Sequence, residues 1–348
     1  MASFELIDWV VALTPVLLMA VLFAWLDVFK LMSPWEMIGC LLLGCVAGLV
    51  AWPISGRMLD TLPIGYSFYS RIVAPFIEEA LKGCALAVLI LSNRIGYKLD
   101  AVISGFAIGA GFSVIENIFY LARFPELTTS VWLVRGLGTA VMHGTTTAVL
   151  AVAAHGLGQR SLRQQGGRMF NPVWLLPGYL LASLIHLAFN QFPNHPMEDM
   201  IVTLIAAPVL LIGVMRFGES ETHKWLIEDR ETHRRWLEEW QSGAFPSDDS
   251  GQRIAALSAQ LKPDQAALVR DYCIVKAELV LAAEEELLDR DRKLEEDQAT
   301  RVRAAFARLE EIKNRIGRIG YAALSRRLPF SRNDEWELSE LKELLDRD

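Results

Sequence analysis

The sequence predicts an all-α membrane protein, a polytopic bundle of about seven transmembrane helices joined to a helical C-terminal domain in the cytoplasm. Three observations predict it: long apolar runs confined to residues 1–218, a change of composition near Gly218, and an uneven placement of basic residues in the connections.

Each run approaches the roughly 20 residues that a helix needs to cross about 30 Å of hydrocarbon. Residues 1–218 hold 12 Lys or Arg and 12 Asp or Glu, whereas 219–348 hold 22 and 29, so the whole formal net charge of −7 belongs to the second part. The first part suits lipid and the second suits water, which gives two domains, 1–218 and 219–348. No nucleic-acid partner is expected of a chain with this acidic balance.

The first run, 6–28, follows Met-Ala-Ser-Phe-Glu-Leu-Ile-Asp, which has neither the basic leader nor the small-x-small cleavage site of a secretory signal, so it is expected to stay attached. The second run is 36–54. The third, 68–91, contains Pro75, which removes a backbone donor and should kink the helix one turn before its most polar stretch. The fourth, 100–123, carries Ser104, Gly105, Gly109 and Gly111, small residues that let helices approach closely in lipid, and reads as a central packed helix. Runs at 131–157, 173–191 and 199–216 complete the set. Lys30, Arg94, Lys98, Arg160, Arg163, Arg168 and Arg216 fall on one side of these spans, against Arg57, Arg71 and Arg123 on the other. The excess places the N-terminus outside and the tail in the cytoplasm.

In the tail, Trp225, Trp236 and Trp240 alternate with charges over 219–241, the pattern of an amphipathic helix lying near lipid headgroups. A turn from Ser242 to Gly251 follows. Leu268, Tyr272, Val275 and Leu279, then Phe306, Leu309, Ile312 and Ile316, fall at helical spacing on either side of an acidic run from Glu284 to Asp297. Helical hairpins or a short coiled coil are expected, serving self-association or a cytoplasmic partner. Cys40, Cys45, Cys84 and Cys273 contain no CxxC and suggest neither a disulfide framework nor a thiolate zinc site. His155, His195, His223 and His233 read as surface residues.

Glu78, Glu79, Lys82 and Glu116 fall well inside spans, where each charge costs about 2.5 to 3.5 kcal/mol on insertion scales. Lys82 can neutralise Glu78 at i to i+4 or Glu79 at i to i+3, which accounts for one carboxylate and leaves the other. Neighbouring glutamates point about 100° apart on a helix, so one can face a cavity while the other is held by Lys82. His143 lies in the fifth span, and His186 and Asn190 share a face of the sixth. Two imidazoles, three carboxylates and an amide on four spans offer a base for water, a second activator and donors for an oxyanion, the needs of amide hydrolysis. His and carboxylate ligands also suit zinc. The same groups fit a non-catalytic sensor that signals through its tail, or a proton path, although no duplicated half with a broken helix supports a transporter.

Four ordered motifs carry a resemblance: Glu78-Glu79-Ala-Leu-Lys82, Phe112-Ser-Val-Ile-Glu116-Asn117, Arg135 with His143 and Thr147, and His186-Leu-Ala-Phe-Asn190. Across roughly 36–216 the chain resembles PrsW-type intramembrane proteases, relatives of the CAAX-processing and bacteriocin-immunity membrane proteases. The resemblance implies that one glutamate of the Glu78/Glu79 pair is the general base, the first by analogy with the CAAX enzymes, while the other orders the site through Lys82. It implies an oxyanion role for His186 and Asn190, which match HxxxN. Glu116 stands where the CAAX relatives carry a histidine, so His143 takes over that imidazole, and Glu116, His143 and His186 become candidate ligands for zinc. Lys82, Asn117, Arg135 and Thr147 take supporting places. Metal-assisted and metal-free chemistry both remain open. Family members cleave membrane-anchored anti-sigma factors, which implies a membrane-anchored protein substrate and a bacterial inner membrane location.

Overall fold

A computed structural model describes residues 6–25, 32–124, 126–165, 170–191, 195–288, 296–325 and 327–347. Lys30, Arg168, the end of the first predicted run and most of the acidic run after Leu288 lie outside the described residues, as do the side chains of Arg160, Arg163, Arg216, His223 and Trp225. All regular structure among the described residues is helical, and the chain forms two compact units, Met1–Glu219 and Ser220–Asp348.

The first unit contains α1 (Leu6–Trp25), α2 (Pro34–Thr61), α3 (Ala74–Leu91), α4 (Lys98–Arg123), α5 (Ala140–Gln165), α6 (Leu175–Phe189) and the beginning of α7 (Pro196–Gln241). Ser33 starts α2 with a capping box: its hydroxyl accepts from Glu36 N at 3.3 Å and Glu36 Oε2 accepts from Ser33 N at 2.8 Å. Two first-turn donors are thereby satisfied, with Pro34 entering where no donor is needed.

Among the described residues, five helical stretches are long and apolar enough to cross a membrane: Pro34–Thr61, Lys98–Arg123, Thr129–Gly158, Pro172–Phe189 and Pro196–Gly213. The other two predicted spans differ for separate reasons. The helix α1 is described as an apolar stretch over Leu6–Met19, and α3 carries Glu78, Glu79 and Lys82 within its 18 residues.

The helix α4 lies at the centre of this unit, with every residue from Leu99 to Ser113 buried. Its glycines explain how neighbours come so close. A Cβ on Gly111 would sit 2.0 Å from Leu41 O on α2, and one on Gly109 would sit 2.2 Å from His143 O on α5. Both contacts are backbone to side-chain-free backbone, the packing that lipid-embedded helices favour. Each of the helices α3 and α5 is preceded by a widened π-turn, Tyr69–Val73 and Val134–Thr139 respectively.

The second unit contains the end of α7 with α8 (Asp249–Ser258), α9 (Pro263–Leu288), α10 (Glu296–Ser325) and α11 (Arg332–Arg347). The helices α10 and α11 pack on α9, and α10 breaks at Gly317, whose φ of 77° lies in the left-handed region open to glycine. Tyr272, Val275 and Leu279 are buried, as are Leu309 and Ile312 across from them.

Two sequence expectations are corrected here. Trp236 and Trp240 do not mark a headgroup-level helix: they are 8% and 1% exposed and pack on Phe330 at 6.1 and 6.2 Å between ring centroids, as part of a protein core. Nor are His155 and His233 surface residues. His155 is buried with Nε2 3.0 Å from Gly96 O, because a buried imidazole needs a hydrogen-bond partner and the turn before α4 supplies one. His233 is buried with Nδ1 2.6 Å from Glu284 Oε1 and Nε2 3.5 Å from Asp334 Oδ2. His195 stays exposed.

Burial opposes charging of His233, but hydrogen bonds to Asp334 and Glu284 and their charges outweigh it, raising its pKa from 6.5 to about 10. A group raised in the folded state lends stability that is complete below its unfolded pKa and disappears as pH rises through the folded one. The second unit should therefore lose stability between about pH 6.5 and about pH 10. Unfolding midpoints of the full chain, followed by tryptophan fluorescence, should fall across that window and do so less steeply in His233→Gln. In the first unit, Gly109→Ala should lower the detergent unfolding midpoint by the equivalent of about 1–3 kcal/mol, since neither backbone at that crossing can yield freely.

Candidate active site

Five elements of the first unit bring polar side chains to one place: α3 supplies Glu78, Glu79 and Lys82, α4 supplies Glu116 and Asn117, the second π-turn Arg135, α5 His143 and Thr146, and α6 His186. Asn190 follows α6 as its C-cap.

Lys82 is the hub. Its ammonium group is fully buried, donates to Glu79 Oε1 at 2.5 Å, and meets His143 Nδ1 at 2.9 Å. It also lies 5.0 Å from the centre of the Phe112 ring. An ammonium only donates, so His143 accepts at Nδ1 and carries its proton on Nε2, which lies 2.9 Å from Glu116 Oε2. Glu116 in turn pairs with Arg135 at 3.1 Å. Arg135 Nε donates to Asn117 Oδ1 at 3.2 Å, and Asn117 Nδ2 donates to Ala12 O at 2.9 Å, tying α1 to the site.

The two adjacent glutamates are used differently. Glu79 Oε1 accepts from Lys82, from Thr146 Oγ1 at 3.0 Å and from His186 Nδ1 at 2.9 Å, joining α3, α5 and α6 through one oxygen atom. Glu78 turns toward a cavity of about 740 Å³, which Glu116, Arg135, His143, His186 and Asn190 also line. Its Oε2 is buried without a hydrogen-bond partner, and its nearest imidazole atom is His186 Nε2 at 3.8 Å. Because Glu79 holds the Nδ1 proton of His186, the Nε2 lone pair is presented to that cavity, the arrangement by which a second carboxylate orients a ligating or proton-accepting histidine.

Glu78, His143 and His186 can each offer one ligand atom, all within 4.8 Å of one another. Two imidazoles and one carboxylate suit zinc. The unpartnered Glu78 oxygen and the open His186 Nε2 fit such an ion. The sequence placed Glu116 in this set instead. In the structure Glu116 is held by His143 and Arg135.

Of the other anticipated residues, Asn190 lies on the cavity wall but donates its Nδ2 to Ser70 O at 2.9 Å, and Thr147 Oγ1 donates to His143 O on its own helix at 2.9 Å. Thr146 was not singled out from the sequence. Its position three residues after His143 places it on the same helix face, a spacing it shares in kind with Thr147. Tyr66 and Tyr120 were also missed: their hydroxyls meet at 3.0 Å at the cavity mouth, and Tyr120 lies 3.5 Å below the Arg135 guanidinium.

Residues 32–214 match the model of a family described as PrsW family intramembrane metalloprotease. No curated protein and no solved structure matches the chain.

Removing the hub tests its weight. Lys82→Met leaves the Glu79 carboxylate buried beside two histidines without its cation, and should cost about 3–5 kcal/mol, read as a lower unfolding midpoint and a smaller monodisperse fraction in detergent. Pairing it with Glu79→Gln, which removes the stranded charge, should recover part of that loss.

Proposed function

Because the chain belongs to the PrsW family of intramembrane metalloproteases, we propose that it hydrolyses a peptide bond of a membrane-anchored protein at the cavity between α2 and α7. The observation that carries this reading is the buried, unpartnered Glu78 oxygen facing the open Nε2 of His186 on the cavity wall. A water beside Glu78 loses its proton to that carboxylate as it attacks the carbonyl carbon, and Glu78 returns the proton to the leaving nitrogen as the C–N bond breaks. Arg135, whose guanidinium lines the same wall, offers positive charge to the oxygen that becomes negative in the tetrahedral intermediate. Glu79 and Lys82 touch neither water nor substrate in this scheme. They fix the tautomers of His186 and His143.

Glu78, His143 and His186 would hold the metal that the family description implies, and when bound it would polarise the scissile carbonyl and the attacking water as a Lewis acid. The chain's own contribution is to present those three groups on the wall of one cavity.

The cavity is lined by Leu59 and Asp60 at the end of α2, Tyr66 and Arg71 before α3, Phe124 after α4 and Pro196 at the start of α7. All are chain segments at one end of the bundle. On the seven-span reading of the sequence, with the N-terminus outside, that end is extracytoplasmic, the cut falls near the outer face of the membrane and the tail lies in the cytoplasm. The placement of Arg57, Arg71 and Arg123 against the more numerous basic residues of the opposite connections supports this orientation. An anti-sigma factor is the kind of substrate the family resemblance suggests.

Glu78→Ala should lower cleavage of a single-span substrate at least about a hundredfold while the protein keeps its elution volume and unfolding midpoint. Elemental analysis should find a divalent metal in the purified parent and less of it in His186→Ala. Parent-level cleavage by Glu78→Ala would refute the reading.

A further inference from the structure

The turn before α3 is built in a register that leaves Ser70 O without its backbone donor. Ala74 N–H goes to Tyr69 O, five residues back, as in a π-helix. In that register the next donor, for Ser70 O, is the N–H of residue 75, and Pro75 has none. Arg71 O would take that N–H only in an α-helical register. Both oxygens accept side-chain amides from the residues that end α6. Asn190 Nδ2 donates to Ser70 O at 2.9 Å, and Gln191 Nε2 donates to Arg71 O at 3.2 Å and to Leu187 O at 2.9 Å.

This contact connects the two halves of the site. Glu78 comes three residues after Pro75, within one turn of the break. Asn190 comes one turn after His186, and its own N–H bonds back to His186 O at 3.1 Å. The amide of Asn190 therefore joins the turn that carries His186 to the turn that leads into Glu78.

We propose that Asn190 and Gln191 are positioning residues, which clamp the proline-broken turn of α3 to the end of α6 and so hold Glu78 opposite His186, and that Asn190 does not act as the oxyanion donor. The catalytic part of this inference rests on the peptidase reading; the structural part does not.

The test compares Asn190→Ala with the parent and, separately, in a Pro75→Ala background, where residue 75 regains the N–H that Ser70 O lacks. Full-length proteins in detergent are measured for unfolding midpoint, and for kcat and KM on a fluorophore-labelled single-span membrane protein. In the parent background Asn190→Ala should lower the midpoint and reduce kcat about tenfold to a hundredfold with KM unchanged, as misplacement of a reacting group does. In the Pro75→Ala background both deficits should shrink by more than half, since the partner that Asn190 served is now satisfied within α3. An unchanged midpoint with an equal loss of kcat in both backgrounds would overturn the proposal and assign the amide to the reacting carbonyl. Deficits of equal size in both backgrounds for midpoint and kcat together would overturn it as well. If Pro75→Ala is not recovered folded, Asn190→Ala alone decides: a lower midpoint supports the clamp, and a midpoint at or above that of the parent defeats it. Absence of cleavage by the parent protein would count against the peptidase reading, while the midpoints still judge the clamp.

Discussion

The site depends on one ammonium group that has no access to water. Lys82 is 0% exposed, and a cation so placed persists only where its donors are taken up by nearby acceptors. Here they are taken up by a carboxylate on its own helix and an imidazole on α5. Everything else follows outward from those two bonds. The first anchors Glu79 so that it can hold His186, and the second sets the tautomer of His143 so that it can hold Glu116. Glu78, the neighbour left out of this network, keeps an oxygen without a hydrogen-bond partner and faces the cavity. A single buried charge thus separates two chemically identical side chains into one held by three donors and one left unpaired.

The apolar surroundings are arranged to make that network rigid. Glycines at the crossings of α4 with α2 and α5 remove the side chains that would keep the backbones apart, and His143 sits at one of those crossings. Phe112 covers Lys82 and packs against the His143 ring at 5.2 Å, excluding water from the hub while leaving the cavity side of His186 open. The two π-turns precede the two helices with most of the site residues, and such turns rotate the residues that follow them relative to a regular helix.

Much of this was legible in the sequence, because charged residues within apolar runs have so few explanations. The family, the helical class and the grouping of Glu78, Glu79, Lys82, Glu116, His143 and His186 come from that signal. What the sequence withheld is geometry that spacing alone does not determine. Positions three and four residues beyond His143 share a face, so nothing in the order Thr145-Thr146-Thr147 says that Thr146 reaches Glu79 while Thr147 turns to its own backbone. Pro75 announced a break but not its register, and the register decides what Asn190 must do. In the tail, tryptophans among charges fit a lipid interface and a small protein core equally well. The partner that distinguishes them, Phe330, lies far along the chain, and the same distance hid the carboxylates around His233.

The bond pattern at Glu79 also bears on how the protein is made. The helix α3 leaves the ribosome with two acids and a base among its 18 residues, whereas Thr146 and His186, which complete the shell of Glu79, lie 67 and 107 residues further on. Until α5 and α6 arrive, α3 is a poor lateral partitioner into lipid and keeps its acidic turn near polar surroundings. Its final seat in the bilayer is therefore settled late in synthesis, by helices that did not exist when it first met the membrane.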